Sequence, residues 1–438
     1  MTHKGIAIEL TALLLIITLI PAAYARTEPT PWAVHSPTDL PYTRPSPPPQ
    51  RPPATLPSPT TADPGIIDLI LQLNETDILG YVQNLTSYGP RETGSPACDE
   101  AAHYLYHTFQ AMGLSVRYDN WTDKSLTASN IEATLPGTND SPFLIVCGHY
   151  DCVATGPGAD DDGSGVAAVL ATANILKDTP VNHTIRFVAF SGEEQGLIGS
   201  HHYAEEMAHA NASILAVLNA DMISYADTYE DAHKGKIYYD DPSEWICQYT
   251  ENISVLYEPY IGIQVIPSGY LWGSDHNSFW DYGYQAILYF ENKFNPYYHS
   301  ANDTIAHMNL SYAARYSRLI LAVLAELTAQ PHPLLTITAI TGGLGCTATI
   351  TNIGDAPTHD TTLEIAISPG IFGLIGRIQS WTLIDDFAPG QTMRHRLVSF
   401  GLGKVDITVT ATASNLTQRQ KTATAVELGP FLLDFQQG

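Results

Sequence analysis

The sequence predicts an α/β fold, a central mixed and mainly parallel sheet with helices on both faces, followed by a C-terminal all-β sandwich. Three observations carry this. Strand-like runs alternate with helical segments between about residues 97 and 328. One run, Phe143 to Cys147, is apolar at every position, as a strand buried on both faces requires. Beyond Pro331 and Pro333 the helical segments stop, and Thr/Ile/Val-rich stretches recur between Gly, Pro, Asn and Asp turns.

Residues 1–25 read as a signal peptide. Lys4 precedes the apolar run Leu10 to Ile20, and Ala23-Tyr24-Ala25 offers a small-x-small cleavage site. That run is shorter than the roughly 20 residues a membrane span needs. Ten Asn-x-Ser/Thr sequons, from Asn74 to Asn415, agree with export and a secreted or cell-surface glycoprotein. Residues 26–64 are rich in Pro, Thr and Ser and bury too little apolar surface to fold, so they read as a disordered linker.

A larger unit follows over residues 65–330. Ile66 to Leu73 and Asp77 to Leu85 have the pattern of short amphipathic helices, and Arg91 to Ser95 that of a polar turn with a solvated arginine. Ala101, Leu105, Phe109 and Met112 line one face of a helix. Ser115 to Asp119 and Ser129 to Leu135 suggest edge strands. Phe143 to Cys147, Thr184 to Phe190, Ile214 to Leu218 and Ala286 to Phe290 read as further strands. Val166 to Leu176, His201 to Ala210, Pro242 to Leu256 and Tyr312 to Thr328 read as helices. Residues 334–438 form the β-sandwich module.

A net charge of −25 leaves no basic surface to neutralise phosphates, which excludes nucleic acid as a partner. The five cysteines show no CxxC spacing, so neither a zinc knuckle nor a redox pair is indicated, and no disulfide is assigned.

Four places put metal-ligand types just after a strand. These are His149, with Asp151 and Asp160-Asp161-Asp162 behind it; Glu193-Glu194; Asp221; and His299, preceded by Tyr298. In an open α/β sheet the carboxyl ends of parallel strands share one edge, so these side chains are expected to converge. Imidazole and carboxylate suit zinc. Two histidines and three carboxylates exceed one tetrahedral ion and suit two ions sharing a carboxylate. Glu193, beside Glu194, is then free to act as a base.

The segments GHYDCVATGPGADDDGSG, SGEEQGLIGS, LNADMISY, SDHNSF and YYHSANDTI resemble those of the M28 family of zinc-dependent exopeptidases, over roughly Ile66 to Leu327. The resemblance implies that family's zinc exopeptidase fold and two zinc ions. His149 and Asp221 would hold one ion, Glu194 and His299 the other, and Asp161 would bridge them. Asp160 and Asp162 would not be ligands, and Asp151 would orient His149. Glu193 would be the general acid/base for a metal-activated water, and Tyr298 would help polarise the carbonyl or stabilise the oxyanion.

The implied activity is that of an aminopeptidase acting on peptide or protein N-termini. Carboxypeptidase or dipeptidase activity is the alternative, with Arg91 a candidate carboxylate binder by position. A glutaminyl cyclase is disfavoured by the full five-ligand set. A non-catalytic binding protein on this scaffold is the reading from another class. Trp272, Phe279, Trp280 and Tyr289 could line a specificity pocket, core being the commoner role for such residues. The C-terminal part looks like the immunoglobulin-like modules of secreted enzymes, with cell-envelope contact as a candidate role.

Overall fold

The computed structural model describes residues 59–329, 335–352, 357–369, 378–382, 387–413 and 416–437. The expected signal peptide and most of the Pro-rich segment lie outside them. Three helices come first: α1 (Pro64–Gln72), α2 (Glu75–Thr86) and α3 (Pro96–Ala111). Each starts on a residue suited to it. Asp63, Asn74 and Ser95 accept hydrogen bonds from the first-turn amides, and Pro64 and Pro96 occupy positions that need no amide donor.

The chain then weaves an eight-stranded sheet. Its strands are β1 (Ser115–Asp123), β2 (Leu126–Leu135), β3 (Asn139–His149), β4 (His183–Phe190), β5 (Ile214–Ala220), β6 (Lys234–Tyr239), β7 (Gln264–Pro267) and β8 (Ala286–Glu291). Their order is β1-β2-β4-β3-β5-β8-β6-β7. Strands β4, β3, β5 and β8 run parallel, while β1, β2 and β6 pair antiparallel with their neighbours across β1–β2, β2–β4 and β6–β8. The sheet is therefore mixed around a parallel centre. β2 is not an edge strand as its sequence suggests: it sits between β1 and β4, and its polar Asn130 and Glu132 are buried because they have partners in Asp119, Gly199, Arg117 and Tyr203.

Side chains along β3 alternate between two cores. Leu144 and Val146 join the larger one, covered by α1 to α3 with α4 (Gly163–Leu176), α6 (Glu244–Leu256), α7 (Glu258–Ile261) and α9 (Leu310–Ala329). Phe143, Ile145 and Cys147 join the other, beneath α5 (Ile198–His209) and α8 (His276–Asp281). A strand with two apolar faces needs helices on both, which is why Phe143 to Cys147 shows no alternation. Gly165 lets α4 start against the sheet: a Cβ there would stand 2.2 Å from the Ala220 carbonyl oxygen.

Arg91 corrects the expectation of a solvated side chain. It is fully buried and donates to the carbonyls of Tyr150 (2.7 Å), Pro157 and Gly158 (3.0 Å). It thereby clasps the loop between β3 and α4. Arg91→Ala would leave those carbonyls without donors and open a cavity, an expected loss of about 3 kcal/mol, readable as a lower Tm.

The C-terminal strands are β9 (Leu335–Thr341), β10 (Gly343–Leu344), β11 (Cys346–Asn352), β12 (Thr362–Pro369), β13 (Ile378–Thr382), β14 (Thr392–Leu397), β15 (Gly401–Ala413), β16 (Leu416–Gly429) and β17 (Phe431–Gln437). They form antiparallel sheets in the orders β10-β17-β16-β15-β12-β13 and β14-β11-β9, which share one apolar core.

Candidate metal centre

The four parallel strands end on one edge, and each delivers a polar group there. β3 ends on His149, β4 runs into Ser191 to Glu194, β5 into Asp221, and β8 into the segment carrying Tyr298 and His299. Asp161 stands between the two histidines. Its Oδ1 is 3.2 Å from His149 Nε2 and its Oδ2 is 3.2 Å from His299 Nε2. Asp221 Oδ1 lies 3.7 Å from His149 Nε2, and Glu194 Oε2 lies 2.9 Å from His299 Nε2. The five residues thus fall into two histidine–carboxylate groups that meet at one carboxylate.

Buried Asp161 Oδ2, Glu194 Oε1 and Asp221 Oδ1 have no hydrogen-bond partner. Buried carboxylate oxygens without donors are costly, and cations would satisfy them. The donor set, imidazole and carboxylate, fits zinc. Glu193 also lies close, with Oε2 3.9 Å from His149 Nε2, and it can join His149 and Asp221 as a three-residue group. Asp161 is nearer that imidazole, which favours it as the shared ligand and leaves Glu193 beside the pair.

Asp151 faces His149 and has further partners. His149 Nδ1 meets the Asp151 backbone carbonyl at 3.2 Å, whereas the Asp151 carboxylate is 3.6 Å away. That carboxylate accepts from the Glu193 and Glu194 amides and from Thr93 Oγ1. It therefore fixes the glutamate turn as well as facing the imidazole. Asp160 and Asp162 serve the framework. Asp160 accepts from Ser164, Ser224 and Asn295, and Asp162 caps α4 while holding the His149 and Met222 amides.

Tyr298 is half-buried and stacks on His299, with ring centroids 3.6 Å apart. Burial first, then the charges of Asp161, Glu193 and Glu194, push its phenol well above the usual range, so it stays a proton donor. Met222 and His299 both hold left-handed backbone (φ 53°), a conformation costly for side chains of this size and common where a site dictates geometry.

Sequence reasoning missed several supports. Asp303 accepts from the Asp160 and Asp161 amides at 3.0 and 3.1 Å, tying the His299 segment to the loop that carries Asp161. Ser274 donates to Asp221 Oδ2 at 2.6 Å, Thr93 holds the Gly192 amide, and Asp275 is wholly buried nearby. Asp303 and Ser274-Asp275 lie inside the YYHSANDTI and SDHNSF stretches, where the signal stood without a role. Phe279 and Tyr289 are core; Trp272 and Trp280 are partly exposed.

A third group, Asp119, His202 and Glu206, has metal-ligand spacing. Arg117 already supplies its positive charge, 3.1 Å from Asp119 and 4.0 Å from Glu206.

Without metal, the crowded carboxyls resist ionisation. Burial and Asp161 push Glu194 up to about 7, burial pushes Asp275 to about 7, and burial with Asp160 pushes Asp303 to about 8. Burial alone would lower His299, but Asp161 and Glu194 raise it from 6.5 to about 10. Burial would raise Asp161, but the His149 and His299 imidazoles that face it outweigh that and lower it below this window. The folded metal-free chain therefore binds more protons than the unfolded one above roughly pH 4, so its stability falls as pH rises. Thermal unfolding of metal-stripped protein should show Tm dropping from about pH 5 to 9, and saturating zinc should flatten that slope.

Residues 130–324 match the model of Peptidase family M28. A probable leucine aminopeptidase of Arthroderma otae is 27% identical over 287 residues, spanning 60% of this chain and 75% of that protein. The LapA aminopeptidase structure of Legionella pneumophila superposes with a TM-score of 0.57 at 22% identity, over 62% of this chain and 76% of that one. An aminopeptidase structure from Aneurinibacillus sp. strain AM-1 gives 0.53 at 17%, over 61% and 97%. The fold is that of these structures, and the match of residues 130–324 to Peptidase family M28, with the leucine aminopeptidase relatives, supports a metallo-aminopeptidase.

Proposed function

We propose that the chain is a secreted di-zinc aminopeptidase that removes N-terminal residues from peptides. The observation that carries the two-ion reading is the placement of Asp161, one oxygen facing each histidine. His149 and Asp221 would hold one zinc, Glu194 and His299 the other, with Asp161 shared. Zinc held there supplies Lewis acidity, which acidifies water and polarises a carbonyl.

Glu193 is the group placed to move the proton. Its burial and the neighbouring Glu194 and Asp221 carboxylates raise its pKa well above the usual range, against the pull of His149, as suits a base that must later act as an acid. It accepts a proton from water as the scissile carbonyl is attacked, and returns it to the leaving amine. Tyr298 donates to the developing oxyanion. Asp151 keeps the Glu193 turn in place through its amides.

Kinship to leucine aminopeptidases favours N-terminal residues as the substrate. The carboxypeptidase alternative loses its candidate cation, because the Arg91 guanidinium is committed to loop carbonyls. Export rests on the leader pattern and the sequons. Of the nine sequon asparagines among the described residues, six are exposed and none is buried. No helix among the described residues is long and apolar enough to cross a membrane. In an extracellular setting the C-terminal sheets would be available for cell-envelope contact.

Chelation tests the reading. Removal of metal should abolish hydrolysis of leucyl-p-nitroanilide, and two zinc equivalents per chain should restore it. An N-acetylated analogue should not be cleaved. Full activity at one equivalent would overturn the two-ion centre, and cleavage of the blocked substrate alone would overturn the aminopeptidase assignment.

A further inference from the structure

The C-terminal module carries an apolar surface that the peptidase reading does not use. Leu402, Leu428, Phe431 and Leu344 lie on four consecutive strands, β15, β16, β17 and β10. They are paired directly across each strand boundary: Leu402 with Leu428, Leu428 with Phe431, and Phe431 with Leu344. Residues opposite one another in a ladder share a face, so these four form a row across the sheet. It is the outer face, because Leu432, the neighbour of Phe431, points into the core at 2% exposure. The row itself is 48–64% exposed.

Both ends of the row are extended. Phe400, 72% exposed, lies within 3.9 Å of a Cβ built on Gly429, at the β16–β17 turn. Val398, 40% exposed, stands against Gly345, next to Leu344. Leu433 adds to the next row, opposite Val426 and Lys404. The row after that, Asp406, Thr424 and Gln436, is polar and closes the patch.

We infer that this face is a self-association surface, occupied by a second copy of the chain. Its exposed apolar area is roughly 700 Å², above the patches usual on monomers and close to the ~800 Å² each partner buries in a standard interface. A row crossing four strands can meet its own image across a twofold axis. An anionic bilayer is a poorer occupant for a chain of net charge −25.

Sedimentation velocity of the full zinc-loaded chain, diluted from about 100 µM to about 0.1 µM, tests this over the range of ordinary affinities. The native chain should sediment as a dimer and halve its mass on dilution. Leu402→Lys/Phe431→Lys should be monomeric throughout, with zinc content and turnover unchanged. Phe400→Ser, at a site too exposed to affect folding, should weaken the dimer by about tenfold. A native chain that is monomeric at every concentration overturns the inference. So does a dimer that survives both variants, or a monomer that floats with phosphatidylcholine vesicles.

Discussion

Glu193→Gln is expected to lower turnover by roughly 10³-fold while leaving zinc content unchanged. The amide keeps the volume of the carboxylate but cannot take a proton from water. The turn that carries it is held from elsewhere, through the Glu193 and Glu194 amides on Asp151 at 3.4 and 3.3 Å. The five proposed ligands stay intact, so the loss should fall on kcat, with KM little changed. Near-normal turnover would sink the assignment. Loss of one zinc equivalent would instead make Glu193 a ligand, a role its distance of 3.9 Å from His149 permits.

Asp161→Ala should remove both ions and reduce activity to that of chelated protein, whereas His149→Ala or His299→Ala should each weaken one site first. The difference follows from position. Asp161 offers one oxygen to each histidine group, and its removal leaves Asp221 and Glu194 on separate sides with no shared anion. Metal analysis after dialysis against a weak chelator distinguishes the cases. One retained equivalent in Asp161→Ala would show that the two sites are independent.

The parallel centre of the fold was legible because a strand buried on both faces must be apolar throughout, and Phe143 to Cys147 is. The strand-end histidines and carboxylates were legible for a related reason: a polar ligand directly after such a run has few other uses. β6 and β7 were not. Lys234 to Tyr239 carries two lysines, and Gln264–Pro267 is four residues long, so neither shows the pattern of a buried strand. The buried Arg91 was misread because its shorter bonds go to carbonyls 59 to 67 residues away, which local pattern does not reveal. Asp303 escaped for the same reason, its amide partners lying 142 and 143 residues earlier.

That last contact has a consequence for biosynthesis. The loop that carries Asp161 is made early in the chain, yet the acceptor for its two amides arrives only when Asp303 has been translated. His299, which faces the second oxygen of Asp161, comes just before it. A nascent chain therefore cannot bring all of these groups together until nearly all of residues 130–324 have emerged, because His299 and Asp303 lie near the end of that span while Arg91 already clasps the loop. A ribosome-stalled fragment ending before His299 would lack that imidazole, Asp303 and the core helix α9 alike, so no hydrolysis is expected of it.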